Sequence, residues 1–193
     1  MRTTPIRAVA LCGVLALAGV VTFAAPRSGI AQKANPCALK TAGAVTKDTA
    51  AEAAFKDYKG WKKVNEQPVK SASHGNTVVV TYLNKKAEPA AMSGTFPFPA
   101  GSIVVKEAFE DRGGKPGGIS KVFVMEKRAK GYDSANGDWH YAVVMPDGAV
   151  AVTGDGRAGS PTQLCGACHQ AAKANDYVFG SGTTMKVKPV SMK

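Results

Sequence analysis

The chain has 193 residues, 45% of them hydrophobic and 20% charged, with a mean hydropathy of −0.11. That balance excludes a disordered polar tail and a multi-span membrane protein, and the length suits one domain with room for a core. The net charge of +11 would fit nucleic acid, an anionic surface or an acidic partner, and only its distribution separates these.

Residues 1–31 have the layout of a secretory leader. Arg2 and Arg7 form a positive start, residues 8–25 are an almost unbroken apolar run, and Gly29-Ile30-Ala31 supplies small residues for cleavage. Cys12 lies early in that run behind Leu11, not behind a small residue at its end, which argues against lipidation. The leader carries three arginines and no acids, so its removal lowers the charge from +11 to +8. The remaining lysines scatter without long basic blocks or interleaved stacking aromatics, so nucleic acid is not the expected partner. An acidic redox partner fits the charge better. No membrane association is expected after cleavage.

Residues 32–47, rich in Ala, Lys and Thr, form an N-terminal extension, and residues 48–193 a single domain. Helical spacing of Phe55, Tyr58 and Trp61 behind Asp48 and Thr49 predicts a helix over 48–64. The Val- and Thr-rich run 76–83 predicts a strand. Residues 85–93 suggest a short helix broken by Pro89, and 96–101 a turn-rich loop carrying Phe96 and Phe98. Further strands are expected at 102–110, 120–127, 139–145 and 149–153. Turn clusters at 111–118, 136–138 and 146–148 separate them. A helix is expected over 162–173. Sequential strands on short connections favour antiparallel pairing. The expected fold class is α+β, a mostly antiparallel sheet with flanking helices.

The strongest chemical signal lies on the last helix. Cys165-Gly166-Ala167-Cys168-His169 is a C-x-x-C-H haem-attachment motif. Two thiols three residues apart can meet the two vinyl groups of haem as thioethers, and the next imidazole can bind the iron. With four Cys and three His in the chain, chance yields the motif about once in a thousand such sequences. A redox dithiol would need a βαβ setting, which is absent. A zinc site would have to draw on Cys37, His74 and His140. The motif occurs once, so one haem c is expected, with His169 as proximal ligand.

The sixth position decides the chemistry. Met92, Met125, Met145, Met185, Met192, His74 and His140 are the candidates. Met125 and Met145 sit in strand patterns that favour core packing. His74 before a turn and His140 beside Trp139 fit structural roles as readily as ligation.

Three stretches together resemble a known family. They are Gly101-Ser102-Ile103-Val104-Val105-Lys106-Glu107, then Met125-Glu126-Lys127 with Gly137-Asp138-Trp139, then Leu164, the haem motif and Asn175-Asp176-Tyr177-Val178-Phe179. Over residues 50–180 the chain is similar to the cytochromes P-460 and their close relatives, the cytochromes c′-beta. The resemblance implies a mostly antiparallel fold and a five-coordinate haem c. It also implies a lysine, Lys106 by motif, bonded to the porphyrin edge, and oxidation of hydroxylamine with nitric oxide as an intermediate. The c′-beta relatives lack the cross-link and bind nitric oxide or carbon monoxide, so a non-catalytic gas-binding protein is the alternative.

Strand alternation places Val104, Lys106, Ala108 and Glu110 on one face, and Ile103, Val105, Glu107 and Phe109 on the other. An ammonium between apolar neighbours loses hydration, which favours the neutral, nucleophilic amine; the plain alternative is a lysine snorkelling from a half-exposed strand. Phe96 and Phe98 are candidates to cap the open iron face. Hydroxylamine oxidation needs a base, for which Glu107, Glu110, Asp155 and Asp176 are available but not placed by sequence. Cys37 is a spare thiol that could join two copies into a homodimer. A leader on a c-type haem protein implies a bacterial periplasmic location.

Overall fold

The computed structural model describes residues 56–180, 182–188 and 190. The expected leader and N-terminal extension, with Cys37, lie outside them. Within them the chain builds a seven-stranded antiparallel sheet: β1 (Lys62–Lys63), β2 (Val69–Ser71), β3 (Thr77–Leu83), β4 (Ile103–Arg112), β5 (Lys115–Lys127), β6 (Trp139–Val144) and β7 (Val150–Gly154). The order is β1-β3-β4-β5-β6-β7, and β2 shares with β1 the pairing to β3. Two short α-helices accompany it, α1 (Glu88–Ser93) and α2 (Gln163–His169), the latter continued by a 3-10 segment, Gln170–Asn175. The fold is α+β, as its strand and turn pattern predicts.

Two layers of core follow from alternation along the strands. Val104, Met125 and Tyr141 point to the face where α1 and the C-terminal segment pack, joined there by Leu83, Phe98, Trp139, Tyr177 and Val178. Ile103, Val105, Val122, Val124, Ala142, Val144 and Val150 form a second cluster, covered by Tyr58, Trp61, Tyr82 and Ile119. β4 therefore contributes to both faces, and its register (Val105 opposite Tyr82 and Val124, Lys106 opposite Thr81 and Phe123) fixes which side chain faces which way. Glu107 falls on the second face at 1% exposure, accepting from Tyr58 Oη at 3.0 Å, Tyr82 Oη at 3.2 Å and Lys59 Nζ. Both tyrosines are pushed up by burial first and by Glu107 second, Tyr82 to about 12.

Four expectations need correction. The described part of the 48–64 helix is a 3-10 turn, Tyr58–Gly60, followed by β1. Edge pairing of Lys62 and Lys63 with Leu83 and Tyr82 captures the backbone that helical spacing would have used. Pro89 does not break a helix but starts one, standing in the first turn of α1, where its missing N–H costs nothing. Only Gly113 and Gly114, at φ +66° and +87°, turn the β4–β5 hairpin, so Pro116, Gly117 and Gly118 belong to β5 instead of to a loop. The 162–173 helix is really α2 plus the 3-10 segment, with Ala172 leaving helical geometry.

No helix among the described residues is long and apolar enough to cross a membrane.

Candidate functional site

A cavity of about 350 Å³ opens between the sheet and α2. Lys106 and Val104 reach it from β4, Phe123 and Met125 from β5, and Tyr141 from β6. Cys165, Cys168 and His169 reach it from α2, Phe179 from the segment after it, and His74 from the β2–β3 connection. Lys106 and the haem motif, 59 positions apart or more by their numbering, thus share one wall-to-wall space.

His169 is held in one orientation. Its Nδ1–H donates to the Tyr177 carbonyl at 2.6 Å, which leaves the lone pair on Nε2. Its ring packs against Tyr141 (centroids 5.7 Å) and edge-on to Phe179 (5.2 Å). Burial first, and then the Lys106 charge, lower its pKa to about 4, so it stands neutral at physiological pH.

The Tyr177 carbonyl is itself fixed. Asp176 and Tyr177 occupy the left-handed region at φ +50° and +67°, a conformation that non-glycine residues keep only when their surroundings demand it. The surroundings are an ion pair of Asp176 with Lys127 at 2.6 Å, both side chains under a tenth exposed, and a 2.8 Å bond from the Phe98 N–H to the same carboxylate. The Trp139 indole N–H adds a bond to the Asp176 carbonyl, also at 2.8 Å. The 175–179 segment therefore acts as a strut behind the His169 imidazole. Phe98 belongs to this support, packed edge-on to Trp139, and Phe96 packs on Phe98. Neither is among the residues that line the cavity. The Pro-rich loop is drawn into the core by Asp176 and Trp139.

Lys106 shows the desolvation that its strand position predicts. Burial alone lowers its pKa to about 8, and its Nζ lies 5.8 Å from the centre of the Phe179 ring. Cys165 is a free thiol raised to about 11 by burial. Cys168 is disulfide-bonded.

The residues fit a haem on grounds beyond the motif. Tyr141 Oη is buried in the cavity wall without a hydrogen-bond partner, an arrangement that costs about 1–3 kcal/mol unless a ligand supplies the partner. The lining is otherwise mostly apolar, as a porphyrin face requires. Among the described residues no three His, Cys, Asp or Glu side chains are grouped to hold a metal ion by themselves, so the zinc alternative finds no ligand set there.

The carboxylates raised as bases are all elsewhere. Glu107 is on the opposite sheet face, Glu110 pairs with Arg112, Asp155 with Arg157, and Asp176 with Lys127. None lines the cavity. Of the candidate sixth ligands within the described residues, only His74 and Met125 line it; His140 is bonded to Thr153 Oγ1 at 2.7 Å outside the cavity.

What sequence reading undervalued is His74. The β2–β3 connection carries a short 3-10 turn, Ala72–His74, that places the ring inside the cavity and edge-on to Phe123 at 4.5 Å. Ser71 Oγ sits 2.7 Å from its Nδ1. Strand β2 was not legible in the sequence, and without it nothing orients that turn.

No curated protein matches the chain. The family model for Cytochrome P460, by contrast, matches residues 55–180, the span that holds the whole sheet from β1 to β7, Lys106, the C-x-x-C-H helix and the 175–179 strut, and the chain belongs to that family, whose cofactor is haem.

Proposed function

We propose that the protein is an exported, periplasmic monohaem c-type cytochrome that oxidises hydroxylamine or a related small nitrogen species at a five-coordinate haem. The observation that carries this reading is the meeting of Lys106 with Cys165, Cys168 and His169 in one cavity. Cys165 and Cys168 would hold the haem by thioethers and His169 would bind its iron. When bound, the haem supplies an iron that takes a small nitrogen ligand and accepts its electrons.

The chain's own residues do the rest. The Tyr177 carbonyl sets the tautomer and plane of His169. Phe179, Val104, Phe123 and Met125 give the cavity apolar walls, which would keep water from a bound haem. Lys106, with a pKa of about 8, is roughly one-tenth neutral at pH 7. That neutral fraction provides the nitrogen lone pair needed for a covalent link to the porphyrin edge. The positive surface of the domain suits an acidic one-electron partner such as another cytochrome c, and Cys37 offers a disulfide route to a homodimer.

A second reading, binding of nitric oxide or carbon monoxide without turnover, is favoured by one observation: among the described residues no carboxylate lines the cavity. Absorption spectra of the matured protein, with the mass of its haem peptide, separate the two. The enzyme reading predicts a strongly red-shifted ferrous Soret band, a Lys106 peptide tethered to that of Cys165–His169, and hydroxylamine turnover. An ordinary five-coordinate haem c spectrum with Lys106 in a free peptide would establish the gas-binding reading. A Lys106→Leu variant with wild-type spectrum and activity would remove the cross-link from the account.

A further inference from the structure

We propose that His74 is the proton acceptor of this site, with its Nε2 directed at the small nitrogen ligand. The inference rests on the functional reading above and supplies the base that reading lacks. Among the described residues seven titratable side chains line the cavity: Lys70, His74, Lys106, Tyr141, Cys165, Cys168 and His169. Lys70 is largely exposed and paired with Asp111 at 3.2 Å. The three residues of the C-x-x-C-H motif would be committed to the haem. Lys106 spends its lone pair if the cross-link forms. Tyr141 is pushed up by burial first and by nearby acidic groups after it, so it can donate a proton but not accept one. That leaves His74.

Its geometry suits the task. Nδ1 is engaged by Ser71 Oγ at 2.7 Å and the ring is braced edge-on by Phe123, so Nε2 is the nitrogen left for the cavity. The groups facing it are Lys106 on β4 and His169 on α2, both of which act on it electrostatically. Burial first, then the Lys106 charge, with a smaller contribution from His169 when that ring is protonated, hold its pKa well below the ordinary histidine value, which keeps the lone pair available at neutral pH.

Oxidation of hydroxylamine by two electrons breaks one N–H and one O–H bond and yields nitroxyl. The N–H proton passes to His74 Nε2, forming imidazolium, and the O–H proton passes to water. The two electrons go one at a time to an external one-electron acceptor protein. The imidazolium, beside Lys106 in a poorly hydrated wall, returns its proton to solvent readily, which resets the base.

The test uses the haem-loaded wild type with His74→Leu and His74→Gln. Turnover of hydroxylamine should fall roughly a hundredfold in both variants, the scale of a lost general base. The C–O stretch of the ferrous carbon monoxide adduct should shift in H74L and be largely restored in H74Q, because glutamine keeps a hydrogen bond but cannot take the proton. Full turnover in H74Q would overturn the proposal. An unshifted stretch in H74L would also overturn it, as would a six-coordinate wild type that becomes five-coordinate in H74L, which would make His74 an iron ligand. A wild type without hydroxylamine turnover would overturn the functional reading, and with it the proton step. The carbon monoxide stretch would still report separately whether Nε2 meets a bound ligand.

Discussion

At the scale of single residues, Lys106 shows how a strand position becomes chemistry. Alternation alone places it beside Val104 on the face that becomes the cavity wall, and burial there lowers its pKa from 10.5 to about 8. The sign of the consequence is fixed. Between pH 8 and 10.5 the unfolded chain holds a proton on this lysine that the folded chain has released, so folding stability rises with pH across that window and falls as pH drops back through 8. Denaturant titrations of the haem-free protein at pH 8 and pH 9.5 should show this rise in wild type and lose most of it in Lys106→Met. Equal pH slopes in the two proteins would mean that the amine is well hydrated. His74 makes the opposite point about legibility: its residue type was visible, but a lone histidine before a glycine turn carries no sign of which wall it will join.

At the scale of elements, the C-x-x-C-H helix owes its placement to what it packs against. A Cβ at Gly166 would lie 2.5 Å from the Gly156 Cα and 2.7 Å from its carbonyl oxygen. Both are backbone atoms, and Gly156 is tied by its own N–H to Asp133 Oδ2 at 2.9 Å. Alanine would gain up to about 1 kcal/mol in helix propensity, but displacing fixed backbone costs about 1–3 kcal/mol, so the clash wins. Gly166→Ala should lower the denaturation midpoint of the haem-free chain and reduce the yield of haem-loaded protein. An unchanged midpoint would show that α2 can slide off Gly156. The motif thus carries two kinds of information. Its cysteines and histidine announced the cofactor, while the need for glycine between them is specific to this contact. The 175–179 strut divides the same way: its residues marked the family, and only the bonds from Lys127, Phe98 and Trp139 to Asp176 show that it orients His169.

At the scale of the whole molecule, the cavity sits between the sheet and the C-terminal segment, inside the layer that should be the main core. A space of about 350 Å³ there is walled by Val104, Met125 and Tyr141, and the Tyr141 hydroxyl in that wall is unpaired, so a bound porphyrin would add contacts that the chain does not make by itself. The haem-loaded protein should therefore melt well above the haem-free chain, a difference that thermal unfolding followed by circular dichroism would reveal. Coincident melting curves would mean that the cavity wall closes on itself when empty, and would argue against a site built around a porphyrin.

The sequence by itself determined the local and compositional features: the strands with period-two alternation, a turn somewhere within 111–118, the C-x-x-C-H triplet and the face on which Lys106 lies. Each depends on neighbours a few residues away, where backbone geometry and side-chain type suffice. Only the tertiary structure decided matters that depend on distant partners. Edge pairing to β3 turned the expected 48–64 helix, where it is described, into a turn and a strand. The Asp176 carboxylate drew Phe98 away from the cavity and into the support of His169. The order of strands carried every candidate carboxylate out of the site and brought His74 into it. Chain proximity is written in the sequence, but which walls enclose a common space is settled by long-range packing, and it is that enclosure that brings Lys106, His74 and His169 to one cavity.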